Sequence, residues 1–313
     1  MKVLVAGGTG VIGRRLVPML ASVGHEVTIM VRGAAETGRD EQDGSWRVTA
    51  DALDREATER AIAEAAPDVV VNMLTAIPAR LNPKRFAKEF ALTSRLRIEG
   101  TSNLIGGAEA AGAKRIISQG LAYAYNPSSD TPANEDEQLW INPPKPFAAA
   151  LTALKSLERQ TTEVGGLVLR LGHLYGPGSI YGPEGSFTQQ IRAGKVPLVG
   201  GGTSTFSFTH ADDAASAVVT AIDKDVSGAL NIVDDEPSPM HEWLPYVAKL
   251  VGGREPKLAP AFLARLAVGD WGVAFMTQLR GADNSRARLQ LNWRPRYQSW
   301  REGFAAELRH DRP

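Results

Sequence analysis

Close to the N-terminus, an apolar run over residues 2–6 is followed by Gly7-Gly8-Thr9-Gly10-Val11-Ile12-Gly13 and then by a segment of helical period. Three glycines at this spacing suit one task well. The first lets the chain turn tightly, the second lets backbone approach a pyrophosphate, and Gly13 lets a helix pack close to a sheet with its N-terminus facing the anion. With a strand before and an amphipathic helix after, the motif reads as a dinucleotide cradle made by Gly7, Thr9, Gly10, Val11, Ile12 and Gly13. The end of the second strand sets the cofactor's flavour: a carboxylate there would bind the ribose 2′-hydroxyl of NAD, whereas an arginine pairs with the 2′-phosphate of NADP. The sequence has Thr28-Ile29-Met30-Val31-Arg32, so Arg32, helped by Arg14, favours NADP(H) over NAD(H). Asp51, just after another strand, either accepts from the adenine amino group or caps a helix. Ala52 beside it and Leu74 after the fourth strand complete the expected cofactor contacts.

Other chemistries find few residues. There is no cysteine, which removes disulfides, thiolate metal sites and cysteine nucleophiles. No His or carboxylate cluster has metal-ligand spacing, and no Gly-x-Ser-x-Gly elbow offers a serine nucleophile. Of the five histidines, His173 directly follows the sixth strand, where it could serve as a general acid or base or sit hydrogen-bonded in the structure. Lys plus Arg equals Asp plus Glu at 35 each, so no global field attracts nucleic acid or an anionic membrane. No stretch approaches the roughly 20 apolar residues of a membrane span, and the expected location is cytoplasmic.

The elements that must position these residues alternate between strand length and helical period: 2–6, 11–23, 26–31, 68–72, 85–111, 115–118, 147–163 and 166–171. Continuous apolar strands such as Asp68-Val69-Val70-Val71 suit a parallel sheet covered on both faces. The expected fold is therefore α/β, a doubly wound parallel-sheet Rossmann fold with a smaller, mostly helical C-terminal substrate lobe. We place the dinucleotide-binding domain at 1–172 and the lobe at 173–313, with 207–233 returning to the sheet. The 313 residues and 43% apolar content are ample for such a core.

Later segments extend the pattern. Arg170-Leu171-Gly172-His173-Leu174-Tyr175-Gly176-Pro177-Gly178, Phe208-Thr209-His210-Ala211-Asp212-Asp213, Gly228-Ala229-Leu230-Asn231-Ile232 and Leu291-Asn292-Trp293-Arg294-Pro295 follow the glycine turn in order. Together they resemble the extended, here atypical, short-chain dehydrogenase/reductase family in its NAD(P)-dependent epimerase/dehydratase branch, over nearly the whole chain. The resemblance implies a homodimer through helices 85–111 and 147–163, with His210 holding the fold.

It also implies a Tyr-x-x-x-Lys pair whose lysine holds the nicotinamide ribose and whose tyrosine relays a proton. In this chain the aligned residues are Leu151 and Lys155. The family's active hydroxyl after the fifth strand falls on Leu121 or Gly120 in a gapless alignment, and on Ser118 or Gln119 with a shift of two residues. Lys155 is thus expected to bind the ribose or to act as acid/base itself, and Tyr123, Gln119 or His173 to replace the missing proton donor. The Arg-Asp-Phe triplet of sugar-nucleotide members is Phe206-Ser207-Phe208 here, which argues against a nucleotide-sugar substrate, although Arg280 resembles a second phosphate-pairing position. The cleft inventory is apolar and aromatic, which suits a small organic substrate. The leading expectation is an NADP(H)-dependent oxidoreductase acting on a carbonyl or hydroxyl group with a non-standard relay. The alternatives are a non-redox cyclase, isomerase or lyase that keeps the cofactor structurally, and a catalytically silent NADP(H)-sensing protein.

Overall fold

The computed structural model describes residues 1–33, 38–39 and 44–308. Strand β1 (Lys2–Ala6) runs through the glycine turn into helix α1 (Gly13–Ser22), and β2 (Glu26–Val31) returns beside β1. After the short β3 (Gly38–Arg39) come β4 (Trp46–Thr49), α2 (Arg55–Ala65) and β5 (Val69–Asn72). Asp54 caps α2 by accepting from the Ala57 N–H at 3.0 Å.

The helical segment expected at 85–111 is not one helix. It divides into α3 (Phe86–Glu89), α4 (Ala91–Arg95), a wide π-type turn at Leu96–Gly100 and α5 (Thr101–Ala110). Such wide turns rotate the side chains on either side out of register and are often found at functional sites. Then follow β6 (Arg115–Leu121), α6 (Lys145–Glu163) and β7 (Leu167–Leu171).

Beyond β7 lie β8 (His173–Tyr175), α7 (Ser186–Arg192), β9 (Leu198–Val199), β10 (Thr205–Phe206), β11 (Phe208–His210), α8 (Ala211–Ile222) and β12 (Gly228–Ile232). The chain closes with β13 (Ser238–Pro239), α9 (Met240–Leu250), β14 (Leu258–Ala259), α10 (Ala261–Thr277), α11 (Ser285–Gln290) and α12 (Trp300–Leu308). The strand pairs β8 with β11, β10 with β13 and β9 with β14 were hidden in the sequence because two or three residues leave no alternating pattern.

The main sheet runs β12-β7-β6-β5-β1-β2-β4-β3. All pairs are parallel except β3 with β4. The Val-rich β5 is buried on both faces, as a helix-covered parallel strand must be. On one side α1 and α8 pack together over Val3, Val5 and Ile29; on the other, α2 and α5 cover Leu4, Met30 and Val70. The direction of winding reverses at β1, between β2 and β5, which opens a crevice beyond the strand ends. A third core, with Trp243, Trp300, Phe206 and Phe208 fully buried, builds the C-terminal lobe on the far side of that crevice.

Candidate active site

The glycine turn sits at the head of β1. Gly7 has φ +94°, and a Cβ on it would lie 2.7 Å from the Met73 carbonyl oxygen, so only glycine fits. A Cβ on Gly13 would run into the Gly7 carbonyl, so the third glycine lets α1 start directly against the turn. The Gly10 N–H closes the turn on the Gly7 carbonyl at 3.0 Å. The N–H groups of Val11, Ile12 and Gly13 donate to no group among the described residues. They form an unclaimed set of donors at a helix N-terminus, and no acidic side chain occupies the first turn. Thr9 and Gly10 are exposed beside them. The residues present therefore fit a pyrophosphate.

Around this cradle, Arg14 and Arg32 are exposed and make no ion pair among the described residues. Arg14 also lines a cavity of about 380 Å³ with Gly8, Thr9 and Arg47. Asp51 accepts from the Leu53 N–H at 3.0 Å, while the helix cap that was its alternative role belongs to Asp54. Ala52 is buried and its carbonyl accepts from Asn103. The Leu74 N–H donates to Asn72 Oδ1 at 3.2 Å, and Ala76 N–H to Thr93 Oγ1 at 3.0 Å, which fixes the loop after β5 on the helical arm.

One tie escaped the sequence reading. Arg15 donates to Asp212 at 2.6 Å, to the Val11 carbonyl at 2.7 Å and to the Pro177 carbonyl at 2.8 Å. It joins the glycine turn to the loop after β8 and to α8. Adjacency to Arg14 was the only signal, since Asp212 lies far along the chain.

The chemical end of the crevice is built by β6, α6, the wide turn and β8. Helix α6 buries Ala150, Leu151 and Leu154. Lys155, four residues after Leu151, is exposed, and its Nζ donates to the Trp140 carbonyl at 2.9 Å. The two residues thus do not make an inward pair, because the ammonium is already held by the loop before α6. Leu121, on which the family's hydroxyl was expected to fall, is buried. Gln119 lies within β6 opposite Leu169, half-buried, whereas Ser118 on the other face accepts from Thr161 at 2.8 Å.

Tyr123 and His173 come together. Their rings stack at 4.5 Å, and Phe206 and Phe275 lie 4.1 Å and 5.5 Å from the imidazole. His173 Nδ1 lies 3.2 Å from the Ser207 carbonyl, which can only accept, so the proton sits on Nδ1 and the buried Nε2 is an unpartnered acceptor. Burial pushes this imidazole down to about 3 and keeps it neutral. Burial also raises the Tyr123 phenol, opposed by the charge of Arg97. Near neutrality the imidazole is therefore neutral and the phenol keeps its proton.

Below this pair a buried network locks the scaffold. Arg170 grips Glu158 through two bonds of 2.9 and 2.8 Å and donates to Tyr125, whose hydroxyl donates to Asn231 Oδ1 at 2.7 Å. Arg280, which resembled a phosphate-pairing residue, is buried and ion-paired to Glu137 instead. His210 caps α8 by accepting from the Asp212 N–H at 3.2 Å. Among the described residues no cluster of three potential ligands could hold a metal, and no helix is long and apolar enough to cross a membrane.

Residues 3–233 match the NAD dependent epimerase/dehydratase family. The chain is 43% identical over 310 residues to the 3-diazoavenalumate denitrifying reductase of a Streptomyces species, covering 98% of this chain and 100% of that one. The UDP-glucose 4-epimerase of Thermotoga maritima, solved with UDP-glucose, shares its fold at a TM-score of 0.75 and 23% identity, covering 98% and 97% of the two chains. A human epimerase family protein solved with NADPH does so at 0.73 and 23%, covering 98% and 99%. The chain belongs to the NAD-dependent epimerase/dehydratase family, within the extended short-chain dehydrogenase/reductases. It is an enzyme of a family of NAD(P)-dependent oxidoreductases.

Proposed function

We propose that this protein is an NADPH-dependent reductase that replaces a diazonium group on a small aromatic substrate by hydrogen. The observation that carries the reading is the buried apolar face of α6, where Ala150, Leu151 and Leu154 offer no group that could give a proton. Reduction of a carbonyl requires a proton on the developing alkoxide. Reduction of a diazonium does not. When bound, the reduced nicotinamide supplies a hydride, and the balance is R–N2⁺ + NADPH → R–H + N2 + NADP⁺. The C–H bond forms, the C–N pair leaves with dinitrogen, and no proton stands on either side. The diazo substrate and the reductase activity in the relative's name support this choice.

Each residue then has a task. The free N–H groups of Val11, Ile12 and Gly13 hold the pyrophosphate, Gly7 and Gly10 let it approach, and Thr9 borders it. Arg32 with Arg14 meets the 2′-phosphate, Asp51 and Ala52 border the adenine, and Leu74 borders the path to the nicotinamide. Tyr123, backed by the stacked His173 imidazole, offers its outer ring face to the substrate ring, and the apolar α6 face keeps water from competing for the electrophilic carbon. Gln119 stays behind that wall, and Lys155 braces the Trp140 loop. A homodimer fits the exposed Leu92 and Ile98 on the arm packed against α6.

The test is NADPH oxidation and N2 release with 3-carboxybenzenediazonium, corrected for the reaction without protein. With [4-²H]NADPH the deuterium should appear at the vacated ring carbon; in ²H2O with unlabelled NADPH it should not. Solvent deuterium at that carbon, or turnover of aromatic aldehydes at a matching rate, would sink the reading.

A further inference from the structure

Arg97 lies in the wide turn Leu96–Gly100, where that turn packs against α6. Its residue is only 3% exposed, yet its guanidinium makes no hydrogen bond or ion pair among the described residues. Its nearest acidic neighbours are the neutral Tyr123 phenol and the Glu158 carboxylate. Glu158 is already gripped by Arg170 through both carboxylate oxygens, so it does not neutralise Arg97. The buried, unpartnered cation therefore stands beside the aromatic wall of the cleft.

A buried cation without a partner is expensive, and chains keep one where a ligand supplies the missing charge. A guanidinium offers five donors in a fork that matches a carboxylate through two parallel bonds. We infer that Arg97 binds the carboxylate of an aromatic acid whose ring lies against Tyr123. This assignment deepens the function proposed above and rests on it for the identity of the cleft as the substrate site. A wide turn suits the task, since it breaks the helical register and lets a residue of the arm face α6 and the cleft.

Four-hydroxycinnamate and its methyl ester are the probes, titrated calorimetrically into the NADPH-loaded protein. The acid should bind about 10- to 100-fold more tightly than the ester, the range for bonds to a charged group. Arg97→Met should abolish that preference and leave ester binding unchanged, while Arg97→Lys keeps part of it. On the wild-type chain, phenylglyoxal labelling mapped by peptide mass should be blocked at Arg97 by the acid and not by the ester, which tests the assignment without any variant. Equal binding of acid and ester, or labelling of Arg97 that the acid does not slow, overturns it.

Turnover separates the two proposals. If 3-carboxybenzenediazonium and benzenediazonium are both reduced but Arg97→Met raises KM for neither, the anchor fails and the reductase stands. If the acid probe is held by Arg97 and no diazonium is reduced, the anchor stands and the reductase falls.

Discussion

The two ends of the crevice obey different physics. At the glycine end the work is done by backbone: absent Cβ atoms and free N–H groups leave few ways to vary the sequence without losing the shape. At the chemical end it is done by side chains from β6, α6 and β8, and those can be exchanged on an unchanged frame. The same frame can therefore hold a glycine turn of fixed shape while side chains at the other end, Leu121 and Leu151 among them, are free to change.

The sharpest way to break this contrast is to add volume at the glycine end. Gly13→Val drives side-chain atoms into the Gly7 carbonyl and the Gly8 backbone. It should cost about 3 kcal/mol or more in stability, the upper end for overpacking, and abolish NADPH binding. Thermal melts and a fluorescence titration would show it; a well-folded variant with normal affinity would mean that the turn is not the cradle.

A smaller effect is expected at the rim. Arg32→Ala should weaken NADPH by about 1.5–3 kcal/mol, the worth of a hydrogen bond to a charged group, and leave NADH within a factor of about two. Equal losses for both nucleotides would remove the 2′-phosphate role. At the chemical end, Leu151→Tyr puts a larger, polar side chain into a filled core and should cost about 1–3 kcal/mol. It should not confer aldehyde reduction, because Lys155 is held by Trp140. Efficient aldehyde turnover by this variant would show that one side chain alone separates this chain from an ordinary relay.

The contrast also explains what the sequence could tell. The parallel strands, the glycine turn and the absence of a Tyr-x-x-x-Lys pair are local patterns, and all were legible. What was not legible depends on partners brought in by tertiary packing. Spacing places Leu151 and Lys155 on adjoining turns of one helix, but only the loop ending at Trp140 draws the ammonium away. Arg97 lay inside an ordinary helical pattern, and its burial arises from a wide turn that no periodicity signals. Arg280 only resembled a phosphate-pairing position, and its ion pair with Glu137 depends on a contact far along the chain.

Acid sharpens the picture of His173. Its folded value of about 3 lies below the unfolded value near 6.5, so its contribution to stability is complete above pH 6.5 and is lost as pH falls toward 3. Asp213, pushed by burial up to about 6, acts in the opposite sense: its contribution is complete below pH 3.8 and is lost as pH rises through 6. The gap in unfolding free energy between wild type and His173→Gln should therefore shrink by about 1 kcal/mol per pH unit from pH 6 to 4. A constant gap would mean that the imidazole is protonated within the fold and able to donate.

Least of all should happen at Lys155. Its bond to the Trp140 carbonyl is a single contact from an exposed side chain, of the order of 1 kcal/mol or less. Lys155→Met should lower the melting point slightly, leave NADPH affinity within about threefold and leave diazonium turnover at its wild-type rate. The outcome discriminates because a lysine that held the ribose or moved a proton would lose at least about 100-fold in kcat on the same change, the lower bound for a positioned acid or base. Such a loss would restore Lys155 to the relay. The chemical end would then be a pruned version of the family's machinery, with half its pair retained.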